Sequence, residues 1–329
     1  MRGGSGKRKD AVSIRRVSVM ALLAMAFIST GRGTGLAAPD SGDLSSSDPP
    51  TRFPATGRIV AFGDWHGDLD AARTALRLAG AIDEHDHWIG GDLTVVQTGD
   101  QIDRGDEEQA ILDLLDRLQD EARAAGGALH ALLGNHEIMN VEGDFRYVTD
   151  GGWADFADAG IVIDDTDSLV VSLPDEQRPR ATAFRPGGRY ARMLAKRNVA
   201  VIIGRTLFVH GGILPDHVAY GLERLNAETR AWLRGTGPMP PVYATKDDPV
   251  WARQYSDDPD AEDCALLSDV LATLDCDRMV VGHTVQEQGI TEQCDDRVWC
   301  IDTGAAEYYG GTIQGLEITA SGIRVLSAD

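Results

Sequence analysis

Six polar side chains, Asp64, His66, Asp100, Asn135, His210 and His283, carry the donor types that a hard or borderline divalent cation takes: carboxylate oxygen, amide oxygen and neutral imidazole nitrogen. Two such cations about 3.5–4 Å apart usually share a bridging carboxylate and a bridging hydroxide. Asp64 and His66 stand two residues apart, so on an extended stub both side chains point the same way and can hold one cation. Asp100 can bridge, and Asn135, His210 and His283 can complete a second site. Taken singly, an aspartate after a strand is commonly a helix cap and a histidine commonly a hydrogen-bonded core residue. The set as a whole has no such bland account. Glycine flanks nearly every member, as needed where backbone turns sharply and approaches a ligand closely. His85, His87, His130 and His217 lack this context and receive no role.

The elements that must position these groups are short apolar runs rich in β-branched residues: 58–62, 94–98, 128–133, 199–203, 207–209, 279–281 and 298–301. Between them, Leu69, Ala72, Leu76 and Ala79 repeat at helical spacing, ended by Gly80. Ile111, Leu114, Leu115, Leu118 and Ala122 do the same, with Asp106 placed as an N-cap and Gly126-Gly127 as the stop. This alternation predicts an α/β fold with a core sheet. Gly63-Asp64-Trp65-His66-Gly67, Gly99-Asp100, Gly134-Asn135-His136-Glu137, His210-Gly211-Gly212 and Gly282-His283-Thr284 each follow directly on a run. Each cluster therefore sits at a strand's carboxyl end, where open α/β sheets bind ligands. Residues 141–198 have weaker periodicity and read as a helical and loop insertion near the site.

These clusters, with Asp103-Arg104-Gly105 extending the second, resemble the ordered motif set of the phosphoprotein phosphatase family. Leu133 to Tyr147 and Arg278 to Gln286 are most similar to its Shewanella-like branch. The resemblance implies a calcineurin-like metallophosphoesterase fold, a mixed β-sandwich flanked by helices in four α/β/β/α layers. It implies that Asp64, His66 and Asp100 bind one metal, and that Asp100, Asn135, His210 and His283 bind the other, as Mn, Fe or Zn. It further implies that His136 is the general acid, oriented by Asp103, while Arg104 and Arg253 clamp the phosphoryl oxygens. A metal-bridging hydroxide would then attack phosphorus in line with the leaving group, without a phosphoenzyme. The substrate class is a phosphorylated protein, on tyrosine or serine/threonine, or a small phosphomonoester. Within the same superfamily the alternative is a dinucleoside polyphosphate or phosphodiester hydrolase; outside it, an inactive metal-binding interaction protein.

Two departures from the family pattern stand out. Trp65 fills a position usually taken by a smaller aliphatic residue, and reads as packing beneath the metals or as a ring lining the pocket. The Ser-Ala-Pro-Asn-Tyr element of the eukaryotic Ser/Thr enzymes is missing; Asp302-Thr303-Gly304 and Tyr308-Tyr309 stand there, with Asp302 placed as support for a ligand histidine.

Basic residues from Arg2 to Arg16, the apolar run 19–27 and the small residues ending at Ala38 have the order of a secretory signal peptide. The apolar run is too short for a membrane span, so the mature protein is expected to be periplasmic or extracellular, without stable membrane insertion. Arg15-Arg16 fits the twin-arginine route loosely. Residues 39–54, rich in Ser, Asp and Pro, read as a disordered linker ahead of a catalytic domain spanning 55–329. The formal net charge of −21 becomes more negative once the basic leader is removed, which excludes nucleic acid as a natural partner. Export makes disulfides plausible among Cys264, Cys276, Cys294 and Cys300. Three pairings are open, and Cys294 and Cys300 flank Asp295-Asp296-Arg297 as if across a short hairpin.

Overall fold

The structure, a computed structural model, describes residues 48–328. The leader expected at 1–38 and the linker as far as 47 lie outside the described residues. The chain runs β1 (Arg52–Phe53), β2 (Arg58–Phe62), α1 (Leu69–Leu78), β3 (Thr94–Gln97), α2 (Glu108–Ala125), β4 (Ala128–Ala131) and α3 (Asn135–Glu142). Four short helices follow: α4 (Asp150–Asp155), α5 (Ser168–Ser172), α6 (Arg178–Phe184) and α7 (Arg189–Leu194). Next come β5 (Ala200–Ile203), β6 (Thr206–Val209), α8 (Pro215–Tyr220), α9 (Leu222–Leu233) and α10 (Ala261–Leu274). The chain closes with β7 (Arg278–Val281), β8 (Thr291–Gln293), β9 (Val298–Cys300), β10 (Gln314–Thr319) and β11 (Gly322–Ser327).

The strands form two sheets, ordered β11-β10-β2-β3-β4 and β1-β5-β6-β7-β9-β8. Period-2 alternation decides what each face buries. Ile59 and Ala61 of β2, Val96 of β3, Val201 and Ile203 of β5 and Val280 of β7 share one apolar cluster, the layer between the sheets. The alternate residues Val60, Phe62 and Val95 pack on the buried stripes of α1 and α2. On the other side, Ile202, Met279 and Val281 pack on α7, α9 and α10. The result is the expected four-layer α/β/β/α sandwich. Trp65 is buried with Phe62 and the α1–α2 side chains, so it is a packing residue.

Strand pairs β2–β3, β3–β4 and β6–β7 are parallel, so their carboxyl ends emerge along one edge of the sandwich. The β2–β3 and β3–β4 crossovers use α1 and α2, and β6 crosses to β7 through α8, α9 and α10. Helix α2 ends on Gly126 in the left-handed region, φ 88°, as its position predicts. Its N-cap is Glu107 and not Asp106, whose carboxylate is instead taken by the Thr149 hydroxyl.

Residues 48–54 depart from the linker expectation. Asp48 pairs with Arg234, Asn198 donates to the Pro50 carbonyl at 2.9 Å, and β1 adds in parallel to β5. A sheet edge with open hydrogen-bonding groups recruits this stretch despite its turn-rich composition. Cys294 and Cys300 do flank the turn of a short antiparallel hairpin, β8–β9. The disulfide is not across it: Cys294 is bonded to Cys264, joining the β8–β9 turn to α10, while Cys276 and Cys300 are free and buried, Cys300 standing opposite Thr291.

Candidate active site

The five polar clusters converge on that common edge. Asp64 and His66 leave β2, Asp100 leaves β3, and Asn135 opens α3 after β4; His210 and His283 arrive from β6 and β7 of the other sheet. The turns that aim them are unusual backbone. His66, Asp100, Asp103, Arg104 and His283 all have positive φ, from 43° to 71°. Such conformations are costly for side-chain-bearing residues and persist where the surroundings over-determine them. Gly99, φ 114°, could not carry a Cβ, which would lie 2.6 Å from the Gly134 nitrogen. The β3 and β4 turns pass backbone against backbone there, and that approach sets Asp100 beside Asn135.

All six candidate ligands are buried. Asp100 Oδ2 lies 3.2 Å from His210 Nε2 and 3.8 Å from His66 Nε2. Asp64 Oδ2 is 3.9 Å from His66 Nε2, and Asn135 Oδ1 is 2.9 Å from His210 Nε2. Donor atoms of His66, Asp100 and His136 fall within 4.8 Å of one another, as do those of Asp100, His210 and His283. Asp100 belongs to both groups, the position of a bridging carboxylate.

Buried charge supports cation binding. Burial, reinforced by Asp302 and Asp100, pushes the Asp64 carboxyl well above its ordinary range. For Asp100 burial acts the same way but is outweighed by the His210 and His136 imidazoles, which hold it well below that range. Burial drives His66 down to about 3 and His283 well below the usual imidazole range, so both rings present lone pairs. Among the described residues, His283 Nε2 is buried without a hydrogen-bond partner. Crowded carboxylates, neutral imidazoles and an orphaned ring nitrogen are what a pair of divalent cations would satisfy. The remaining ring nitrogens of His66 and His210 face the Ile102 and Thr98 carbonyls at 3.2 and 3.1 Å, which fixes the rings. Asp302 Oδ1 accepts from the Gly304 amide at 2.9 Å, and among the described residues its carboxylate makes no hydrogen bond to a ligand histidine.

His136 differs from its neighbours. Its Nδ1 lies 2.7 Å from Asp103 Oδ2, with both residues buried. Burial alone would lower the ring's pKa, but the Asp100 and Asp103 carboxylates overcome it and raise the imidazole above its usual range. Arg104 is half-buried, its guanidinium over Tyr147 at 4.7 Å and over Tyr308 and Tyr309 at 5.1 Å each. Arg253 is exposed and donates to the His283 carbonyl at 3.0 Å and to Thr284 Oγ1 at 2.9 Å. The structure thus places all ten sequence-derived candidates around one centre.

Several contributors received no role from the sequence. Glu137 is a backbone clamp: its carboxylate accepts from the amides of Asp100, Gln101 and Gly134 at 2.7–2.9 Å. Tyr147, whose ring is 5.0 Å from His136, and buried Arg180 come from the 141–198 segment, where no periodic pattern marks them.

The chain matches the model of the calcineurin-like phosphoesterase family over residues 57–287. It is 39 % identical to Shewanella-like protein phosphatase 2 of Arabidopsis thaliana, over 90 % of this chain and 84 % of that protein. Shewanella-like protein phosphatase 1 of Plasmodium berghei is 28 % identical over 75 % of this chain and 67 % of its own. Among solved structures, the cold-active protein-tyrosine phosphatase of a psychrophilic Shewanella species superposes with a TM-score of 0.66 at 24 % identity, covering 88 % of this chain and 89 % of that one.

Proposed function

The chain belongs to the calcineurin-like phosphoesterase family, among the Shewanella-like protein phosphatases, and from that premise we propose that this metal-dependent phosphatase hydrolyses phosphorylated side chains of proteins with His136 as its general acid. Asp64, His66 and Asp100 would hold one divalent cation, and Asp100, Asn135, His210 and His283 a second. When bound, the pair supplies Lewis acidity toward the phosphoryl oxygens and a water acidified toward neutral pH.

The chain's own residues do the rest. Arg104 and Arg253 approach the cluster with cationic forks that orient the phosphoryl group and balance its charge. As the bond from phosphorus to the ester oxygen breaks, its electron pair stays on that oxygen, which takes the Nε2 proton of His136. Water contributes the oxygen that bonds to phosphorus and loses its proton to solvent, so the products are an alcohol or phenol and inorganic phosphate. The observation that carries this reading is the buried His136–Asp103 pair beside Asp100, which orients the imidazole and favours its protonated form at the centre of the site. The aromatic rim of Tyr147, Tyr308 and Tyr309 supports a flat aromatic leaving group.

The reading is tested with metal-loaded protein on phosphotyrosine and phosphoserine peptides, p-nitrophenyl phosphate, a phosphodiester and a dinucleoside tetraphosphate. Turnover of the monoesters, lost in His136→Asn, is expected; preference for the last two substrates would replace it with a polyphosphate or diester hydrolase. Export through the 1–38 leader is part of the proposal, and the Cys264–Cys294 disulfide supports an oxidising compartment.

A further inference from the structure

Asp103 has two carboxylate oxygens, and only Oδ2 meets His136. Arg180, from α6 of the 141–198 segment, reaches the other: Nη2 donates to Asp103 Oδ1 at 2.9 Å. The same guanidinium donates from Nε to Asn140 Oδ1 at 3.0 Å and from Nη1 to the Gly152 carbonyl at 3.1 Å. Asn140 Nδ2 in turn donates to Asp103 at 3.0 Å and to the His136 carbonyl at 2.9 Å. Arg180, Asn140, Asp103 and Glu108 are all fully buried, and Glu108 pairs with Arg180 Nη1 at 2.5 Å. The guanidinium is fixed from its faces by Phe156 and Phe184, 4.9 and 5.2 Å away.

From this we infer that Arg180, with Asn140, is a positioning residue for the acid: the insertion holds Asp103 so that Oδ2 orients the His136 ring and Nε2 faces the leaving oxygen. A buried cation is expensive, and replacing one by apolar side chains is often neutral or stabilising. This one donates to three acceptors, two of them Asp103 and its partner Asn140, and pairs in charge with Glu108, an arrangement suited to fixing a geometry. Without Arg180, Asp103 keeps only the Asn140 amide and the His136 ring as partners and is held less tightly about χ2, and the His136 ring loses part of its fixed direction.

The inference rests on His136 being the acid, and the experiment separates the two ideas. Steady-state kinetics of the metal-loaded full chain are compared for 2,4-dinitrophenyl phosphate, whose leaving group needs no proton, and a simple alkyl phosphate, whose leaving group does. His136→Asn should lose activity far more steeply on the alkyl ester; equal losses on both would remove His136 as acid. Given that result, Arg180→Met should lower kcat on the alkyl ester about 10- to 100-fold and on the dinitrophenyl ester by less than about threefold, with KM little changed. Arg180→Lys should recover part of the alkyl-ester rate, and Asn140→Leu should show the same split more weakly. Should Arg180→Met fail to unfold cooperatively, the Lys and Leu variants decide by the same ratio. Equal losses on both esters, a change confined to KM, or no loss would make Arg180 a core ion pair only.

Discussion

Glu137 Oε2 accepts the backbone amide of Asp100 at 2.9 Å, so a carboxylate on the first turn of α3 fixes the residue that joins both candidate metal groups. The second oxygen, Oε1, accepts from Gln101 at 2.8 Å, and together they hold Asp100 at φ 57°. Glu137→Gln turns an amide NH2 toward a backbone N–H. The expected cost is about 1–3 kcal/mol of stability together with weaker metal retention, read by denaturant unfolding and metal titration.

Metal removal should be reversible and should cost stability in a pH-dependent way. The folded-state pKa of Asp64 is raised, so its neutral form is favoured in the folded protein. In metal-free protein that contribution is full below the ordinary aspartate range and is lost as pH rises through the raised folded value. The Asp64 contribution should therefore fall from acid toward neutral pH, opposed by those of His66, His283 and Asp100, whose lowered folded values make their contributions fall toward acid; added Mn or Zn should raise stability. The Asp64 part is read by comparison with Asp64→Asn: chelated parent should lose stability relative to that variant as pH rises from acid toward neutral, while the variant loses turnover, and a pH-independent difference between the two would remove the Asp64 assignment.

Arg104→Lys keeps the charge but removes the planar fork stacked among Tyr147, Tyr308 and Tyr309. The expected fall in kcat/KM is about 10- to 100-fold, with weaker inhibition by inorganic phosphate, because a point charge does not reproduce bidentate recognition.

The Cys264–Cys294 bond spans a sequence separation of 30 residues. Chain entropy puts its contribution at about 3–4 kcal/mol. Reduction, or the Cys264→Ala/Cys294→Ala pair, should lower the unfolding midpoint and leave kcat at 25 °C nearly unchanged, since neither cysteine belongs to the site. Peptide mapping should find this one pairing, with Cys276 and Cys300 reacting with thiol reagents only after unfolding.

Protein recovered from the producing host should begin after the small-residue stretch ending at Ala38. N-terminal sequencing of the mature chain measures this directly, and an intact Met1 terminus would remove the export proposal.

What sequence left illegible has identifiable causes. Strand β10 carries a glycine and the charged Glu317, which is tolerated inside because Arg58 and Arg324 pair with it across the sheet. No local pattern announces a strand built on distant ion pairs. Strand β1 is only two residues, stable because β5 offers it an edge. Cysteine spacing left the pairing open because it depends on register and on distant elements: Cys300 stands opposite Thr291 in the hairpin, while Cys294 in the turn meets Cys264 of α10.

By itself the sequence determined the donors, their order and their placement at strand ends, because glycine-bounded turns after β-branched runs are local features that need no knowledge of the rest of the fold. It also determined an alternation of strands and helices about a core sheet, since period-2 and helical stripes dictate which faces must be covered; the two sheets in four layers were what the family resemblance implied. Only the tertiary structure decided that the carboxyl ends of two separate sheets meet at one edge, which brings His210 and His283 to Asp100. It alone decided that Arg180, 77 residues from Asp103, donates to the carboxylate that meets His136. A buried guanidinium looks like any surface arginine in a sequence; what distinguishes it is the carboxylate that folding brings to it.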